Sequence, residues 1–223
     1  RPPRSTLVRR RQRQMCIRDS FSAVLDACVL VPIAQADTLL SLADAGLYRP
    51  LWSERILEET IRALETIHPD MKESGAARHR AAVMNEAFDD ACVEGWEELL
   101  SAISLPDEND RHVVAAAIQG RADLIVTANL KDFPTEVLGR FNLEAQHPDE
   151  FFVNQLDLDP AEVMRSLQVQ ASATRNPALT VADILASLER CDAWRFAEAA
   201  RAQTWRCLLY TSDAADERSS IDL

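Results

Sequence analysis

The sequence predicts an α/β fold, in which helices flank a mostly parallel central sheet on both sides, with a small helical appendage at the C-terminal end. Short apolar runs alternate with segments of about 10 to 15 residues whose apolar positions recur at helical spacing. Of the 223 residues, 47% are hydrophobic and 27% charged, as in a typical globular protein. Beyond residue 153 only helical patterns remain, so we predict a sheet domain at 21–153 and a helical extension at 154–206.

The first half of the chain supplies two predicted strands and three predicted helices. Its first apolar run, FSAVL, suits a strand buried on both faces, and Asp26 ends that run. Gly46 is a typical helix stop, and Ser53 is a typical N-cap. In order, the predicted elements are a strand at Phe21–Leu25, a helix at Ile33–Ala45, a strand at Tyr48–Trp52, and helices at 54–67 and Ser74–Cys92.

The second half continues the alternation and then becomes helical. The run LIVT at Leu124–Thr127 is the clearest strand pattern in the chain. A helix that opens at Asp107 ends before Gly120. The remaining predicted elements are a strand at Ala102–Leu105, helices at Pro160–Val169 and Val181–Ala202, and a turn at Asn176–Pro177 between those helices.

The two ends of the chain differ in kind from the rest. Residues 10–20 read RRQRQMCIRDS, and residues 207–217 read CLLYTSDAADE. These strings resemble translations of one DNA sequence and its reverse complement, similar to the transposon end and primer that tag sequencing libraries. We interpret residues 1–20 and 207–223 as adapter read-through and leave them out of the fold. The alternative is a basic N-terminal arm and an acidic tail.

The remaining residues, 21–206, are strongly acidic. The chain has 24 Lys and Arg and 36 Asp and Glu; the ends hold 8 and 5 of these, which leaves 16 and 31, a net charge of about −15. This balance excludes an unselective basic surface, so any contact with nucleic acid would be local or depend on bound cations. Three widely spaced cysteines, Cys28, Cys92 and Cys191, are typical of reduced thiols in the cytoplasm. No apolar run is long enough to span a membrane.

Acidic residues recur where ligands bind in parallel sheets, beyond the carboxyl ends of the strands. Clustered carboxylates repel one another and are neutralised by divalent cations, and hard oxygen ligands favour Mg²⁺ or Mn²⁺. Two such ions can activate a water and stabilise a leaving oxygen, which is the chemistry of phosphodiester hydrolysis. The candidate ligands are Asp26, Glu59, Asp107, Asp110 and Asp132.

Each of these residues also has a structural explanation. Glu59 lies among other glutamates that are typical of a solvated helix face. Asp107 and Asp110 are suited to cap a helix N-terminus, and Asp132 to form a turn before Phe133. For Asp26 the structural explanation is a hydrogen-bonded core carboxylate, but a charge inside the apolar stretch VLDACVLVP is costly, which favours a functional role.

Four segments together resemble a known family. An apolar strand ending at Asp26, then ILEETIRAL, LPDENDRHVVAAAI and ADLIVTANLKDFP, resemble the PIN domain, in particular the toxin ribonucleases of VapBC-type toxin–antitoxin modules. The resemblance covers about residues 21–153, and the helices at 157–203 resemble the extension of one branch of these toxins. It implies an endoribonuclease that uses Mg²⁺, with Mn²⁺ as a substitute, and leaves a 5′-phosphate and a 3′-hydroxyl.

The resemblance also implies roles for individual residues. Asp26, Glu59 and Asp110 match three acidic positions of the family, and Glu58 is the register alternative to Glu59. The fourth position is open between Asn129 and Asp132. Asp107 would be a supporting ligand, and Thr127 would position the attacking water or the substrate. The basic residues near these motifs that would contact RNA phosphates are Arg55, Arg62, Arg111 and Lys131.

The implied partners are an RNA substrate and a cognate antitoxin that inserts a segment into the crevice. Such toxins commonly dimerise. No feature of this sequence establishes a homodimer, so we leave the oligomeric state undecided at this point. The alternatives are a PIN-like nuclease that acts on DNA or in RNA processing, and an inactive binding module, which Asn129 permits. A haloacid-dehalogenase-type phosphatase needs a second aspartate two positions after Asp26, where this chain has Cys28.

Overall fold

The computed structural model describes residues 21–174 and 178–203. The two predicted read-through ends, at 1–20 and 207–223, and the predicted turn at Asn176–Pro177 lie outside the described residues. These interpretations therefore stay predictions.

A four-stranded parallel sheet lies at the centre of the fold. Its strands are β1 (Ser22–Leu25), β2 (Arg49–Leu51), β3 (Leu124–Val126) and β4 (Glu144–Gln146). Their spatial order is β2-β1-β3-β4, and every pairing is parallel. The two central strands, β1 and β3, are fully buried, which explains their continuous apolar sequences. This sheet and the helices around it confirm the predicted α/β fold.

One predicted strand is wrong, and one observed strand was not predicted. The run Ala102–Leu105 forms no strand: a 3₁₀ helix covers Glu97–Ala102, and Ile103 and Leu105 insert into the core without pairing. The apolar pattern of this run indicates that its side chains are buried. Burial does not require the backbone to pair with another strand. β4, with the sequence EAQ, lies at the sheet edge and lacks the apolar residues that would reveal it.

Eleven α-helices surround the sheet in the described part of the chain. Ser53 caps the third of them as predicted, because its hydroxyl accepts a hydrogen bond from Ile56 N at 3.3 Å. The helices are α1 (Ala27–Leu30), α2 (Ile33–Asp44), α3 (Glu54–Ile67), α4 (Pro69–Ser74), α5 (Ala76–Ala87), α6 (Arg111–Gln119), α7 (Thr135–Leu138), α8 (Pro148–Leu158), α9 (Pro160–Ala173), α10 (Val181–Arg190) and α11 (194–203). None of these helices has the length and apolar character needed to cross a membrane.

Two predicted helices are interrupted. The helix predicted at Ser74–Cys92 begins only at Ala76, because Gly75 has a left-handed backbone (φ 70°) that ends α4 and precedes α5. It ends at Ala87. The helix predicted at Val181–Ala202 is two helices, and Asp192 between them has a φ of 64°. A left-handed residue cannot continue an α-helix, so the chain turns at each of these points.

The C-terminal helices share the core of the sheet domain. Phe152 on α8 packs against Phe196 on α11, with 5.0 Å between ring centroids. The buried carboxylate of Asp149 accepts a 2.8 Å hydrogen bond from Phe196 N, in the first turn of α11. The predicted boundary after residue 153 falls inside α8, and the division at that residue stays a prediction.

Replacing Asp149 with Ala is expected to destabilise the fold by about 2 kcal/mol, because a buried N–H of α11 loses its acceptor. Urea denaturation measures this free energy of unfolding. Asp157→Ala, at an exposed position of the same helix, is the matched control and should change it by less than about 0.5 kcal/mol. Equal unfolding midpoints for the two variants would show that the Asp149 contact does not stabilise the docking of α11.

Candidate active site at the carboxyl edge of the sheet

The candidate site lies where β1 and β3 end side by side. The strand order reverses between these two strands, and such a switch point opens a crevice beyond the carboxyl ends of the strands. Asp26 follows β1 and Thr127 follows β3, and both are buried. The Thr127 hydroxyl donates a 2.7 Å hydrogen bond to Asp26 Oδ2, and Asp26 N donates to Val126 O at 3.1 Å. Two residues that are 101 positions apart are thereby joined at one point.

The loop after β3 connects Thr127 with both candidates for the fourth acidic position. Thr127 Oγ1 accepts a 3.0 Å hydrogen bond from Asn129 N, in addition to donating to Asp26. The Asn129 side-chain amide donates to Asp132 Oδ2. Asn129 and Asp132 are therefore hydrogen-bonded partners, in which the amide orients the carboxylate.

Asp110 lies in the electrostatic field of the other acidic residues. Burial, and then the charges of Asp26, Asp107 and Asp132, raise the pKa of Asp110 to about 6, although His112 partly opposes them. Asp107 itself caps a 3₁₀ turn, since its Oδ1 accepts a 2.8 Å hydrogen bond from Asn109 N. The capping role considered for Asp107 is thus observed, and its charge still acts on Asp110.

Glu59 is held by two cationic or hydrogen-bonding side chains. Its Oε1 lies 3.2 Å from Arg55 Nε, and its Oε2 lies 3.1 Å from His112 Nε2. Burial alone would raise the pKa of Glu59, but the hydrogen bonds and charges of His112 and Arg55 outweigh burial and lower it. Glu58, the register alternative, instead pairs with Arg62 at 3.2 Å on the exposed face of α3. Glu59 is therefore the glutamate that faces the interior.

Cys28 belongs to the site, and sequence reasoning did not assign it there. Its thiol donates to Asp26 Oδ2 at 3.0 Å and accepts a 3.3 Å hydrogen bond from Ala128 N. Burial and the Asp26 charge raise the pKa of this thiol to about 12, so it stays a hydrogen-bond donor at neutral pH. The available signal was its position, two residues after Asp26 in the turn that leaves β1.

The donor set fits a divalent cation by its chemistry. Carboxylate oxygens are the ligands that Mg²⁺ and Mn²⁺ prefer. Burial, and then repulsion by the other carboxylates, raises the pKa of Asp110, and a bound cation would offset both effects. Within residues 21–174 and 178–203, however, no three His, Cys, Asp or Glu side chains form a group that could hold a metal ion. The carboxylates thus share an electrostatic field without having converged on one ligand position.

Comparisons with known proteins identify two families that match parts of the chain. Residues 22–131 match the PIN domain family, a range that includes Asp26, Glu59 and Asp110. This chain contains a PIN domain. Residues 148–202 match the VapC50 C-terminal domain, which begins with α8, so the PIN domain carries the predicted type of helical extension.

One curated protein is similar to part of this PIN-domain chain. It is named "Putative ribonuclease VapC50" and comes from Mycobacterium tuberculosis (strain ATCC 25618 / H37Rv). The two sequences are 47% identical over 64 residues, which cover 29% of this chain and 37% of that protein. The match therefore spans little more than a third of the relative's length. No solved structure is significantly similar to this chain.

Proposed function

We propose that this PIN-domain chain is a metal-dependent endoribonuclease and the toxin of a type II toxin–antitoxin module. The observation that carries the proposal is the Asp26–Thr127 hydrogen bond at the switch point of the sheet, within a set of carboxylates that repel one another. The PIN domain match and the word ribonuclease in the name of the similar protein support it.

In this proposal the acidic side chains would hold one or two Mg²⁺ ions, or Mn²⁺ as a substitute. A bound divalent cation would supply positive charge to a water and to the scissile phosphate, which lowers the barrier to hydrolysis of the phosphodiester bond. Asp26, Glu59 and Asp110 are the proposed principal ligands. Asp132, oriented by Asn129, is the proposed fourth, and Asp107 is a supporting ligand.

Thr127 and Cys28 prepare Asp26 for that role. Both donate hydrogen bonds to Asp26 Oδ2, at 2.7 and 3.0 Å, which restricts the rotation of the carboxylate. Oδ1 has no such donor among the described residues, so it is the oxygen left to face a cation or a water. Thr127 accepts from Asn129 N, and its hydroxyl hydrogen is thereby directed towards Asp26.

RNA would be bound through local contacts. Residues 21–206 are strongly acidic, so the proposed phosphate contacts are confined to basic residues beside the site. Arg55 is partly engaged with Glu59, and Arg111 with Glu108. Lys131 is exposed in the loop that also carries Asn129 and Asp132. A cognate antitoxin would cover the same crevice in the cytoplasm. The homodimer stays a prediction.

The proposal is tested by incubating the purified chain with single-stranded and structured RNA, in Mg²⁺, in Mn²⁺ and in EDTA. Cleavage with either metal and none in EDTA is the expected result. The products should carry a 5′-phosphate and a 3′-hydroxyl, which end-labelling distinguishes. A folded protein that neither cleaves RNA nor binds Mn²⁺ in calorimetry would overturn the nuclease assignment. Cleavage of DNA but not of RNA would favour the alternative substrate class.

Cys28→Ala is expected to slow RNA cleavage about fivefold, because one hydrogen bond to Asp26, worth about 1 kcal/mol, is lost. Cys28→Ser keeps a donor of similar size and should retain most of the activity. Single-turnover rates at saturating Mg²⁺ make the comparison. Equal rates for the alanine variant and the wild type would mean that Thr127 alone is sufficient to orient Asp26.

A further inference from the structure

His112 is a buried histidine that the proposed chemistry does not use. Only 1% of its surface is exposed, and its ring lies 6.0 Å from the ring of Trp96, centroid to centroid. Its Nε2 lies 3.1 Å from Glu59 Oε2. His112 is on α6, two residues after Asp110, whereas Glu59 is on α3. The imidazole of α6 therefore contacts an acidic residue that comes from a different element, α3.

We propose that His112 is a positioning residue, which holds the Glu59 carboxylate of α3 at a fixed place against the start of α6, the helix that follows Asp110. This inference rests on the proposed function, since it assigns Glu59 to the cation site. An ionised carboxylate only accepts hydrogen bonds, so His112 Nε2 carries the hydrogen and donates it to Glu59. The bond fixes both the rotamer of Glu59 and the distance between α3 and the start of α6.

Arg55, the other partner of Glu59, does not fix that distance. It lies four residues before Glu59 on the same helix, and 38% of its side chain is exposed. A pair of this kind moves with its helix and is weakened by solvent. His112 belongs to another element and is shielded from water, so its hydrogen bond ties Glu59 to the rest of the site.

Stability alone does not explain a histidine at this position. Nδ1 is buried and has no hydrogen-bond partner among the residues that the structure describes. A buried polar atom without a partner is a cost that an apolar side chain of similar shape would avoid. A phenylalanine would fill the same space but could not donate a hydrogen bond to Glu59. We therefore assign the histidine to the positioning of Glu59.

A hydrogen-bonded glutamate is still able to bind a cation. Each carboxylate oxygen has two lone pairs, so Glu59 Oε2 keeps one after accepting from His112. Hydrogen-bonded partners of this kind orient metal ligands in many sites, and their loss typically weakens metal binding or activity about 10- to 100-fold. Loss of the His112 bond would leave Glu59 with only its partly exposed arginine partner.

The test compares Mn²⁺ binding by the full chain with that of His112→Phe and His112→Gln, measured by calorimetry without RNA. The phenylalanine keeps the ring packing but has no donor, whereas the glutamine keeps an amide donor. We expect the dissociation constant to rise about tenfold in His112→Phe. It should return to within about threefold of wild type in His112→Gln. Thr38→Val, a buried hydroxyl-to-methyl change on α2, is the control for a generally weakened core and should bind Mn²⁺ as the wild type does.

RNA cleavage provides a second measurement, and together the two give distinct outcomes. His112→Phe should lower kcat at saturating RNA more than it raises KM, because the site for RNA phosphates is intact. A folded His112→Phe protein with wild-type Mn²⁺ affinity would overturn the positioning role and leave the nuclease proposal standing. A wild-type chain that binds no Mn²⁺ and cleaves no RNA would overturn both. If His112→Phe does not fold, the Mn²⁺ affinity of His112→Gln is compared with that of Thr38→Val. A tenfold weaker affinity in His112→Gln would contradict the positioning role, because an amide donor should restore the hydrogen bond to Glu59.

Discussion

Replacing Asp26 with Asn is expected to slow metal-dependent RNA cleavage about a thousandfold, while the protein stays folded. Asp26 is the buried acidic residue at the switch point and accepts hydrogen bonds from Thr127 and Cys28. An amide keeps the shape of the side chain but removes the negative charge that would hold a cation. Metal ions contribute several kcal/mol of transition-state stabilisation, which corresponds to a factor of this size. Single-turnover cleavage of a labelled RNA measures the change.

The matched control is Asp123→Asn, the same chemical change at the opposite edge of the same sheet. Asp123 Oδ2 accepts hydrogen bonds from Ser22 N at 2.6 Å and from Ser22 Oγ at 2.9 Å, at the start of β1. An asparagine there still offers an acceptor, so cleavage should stay near the wild-type rate. Equal losses in the two variants would mean that the effect is structural. An active Asp26→Asn protein would remove Asp26 from the site.

Replacing Asp110 with Asn is expected to stabilise the metal-free protein at pH 7.5. The pKa of Asp110 is raised to about 6 in the folded protein, so the folded state binds a proton more strongly than the unfolded state. The contribution of Asp110 to the free energy of unfolding is therefore most favourable below pH 4. It falls as the pH rises towards 6 and stays low above that value. The shift corresponds to a penalty of about 1 kcal/mol once solvent screening of this half-buried group is considered.

Mn²⁺ should reverse the order of the two proteins. A ligand that binds only the folded state stabilises it, by about 2.7 kcal/mol at a concentration one hundred times its dissociation constant. The wild type should therefore melt at a higher temperature in Mn²⁺ than in EDTA, and Asp110→Asn should gain much less. Asp157→Asn, at an exposed position of α8, should match the wild type in both conditions. If Asp110→Asn were no more stable than the wild type in EDTA at pH 7.5, the carboxylates would not repel one another as described.

The pattern of the sequence was sufficient to predict the centre of the sheet and the residues that follow it. β1 and β3 are short continuous apolar runs, because both faces of a central parallel strand are buried. Asp26 and Thr127 come directly after these runs, and parallel strands end at the same edge. The ends of the two runs were therefore expected to lie together. The hydrogen bond from Thr127, the last residue of the second predicted run, to Asp26 is an observation of the structure.

Other features depended on neighbours that the local pattern does not reveal. The apolar run at Ala102–Leu105 is buried without pairing, whereas the polar segment at Glu144–Gln146 pairs with β3. Whether an extended segment becomes a strand depends on a partner with free backbone groups, which only the folded chain provides. The positions of Cys28 and His112 in the site were likewise missed, since their roles arise from contacts across the fold.

The sequence by itself determined the fold class, the central strands and the acidic residues at their carboxyl ends. Burial on both faces produces a continuous apolar run, and an acidic residue after such a run is visible in the sequence itself. Tertiary structure decided the partner of each acidic side chain. Glu59 pairs with His112 of another helix, Asn129 pairs with Asp132, and the charges of three other carboxylates act on Asp110. Distances between side chains from separate elements set these interactions, and such distances exist only once the chain has packed.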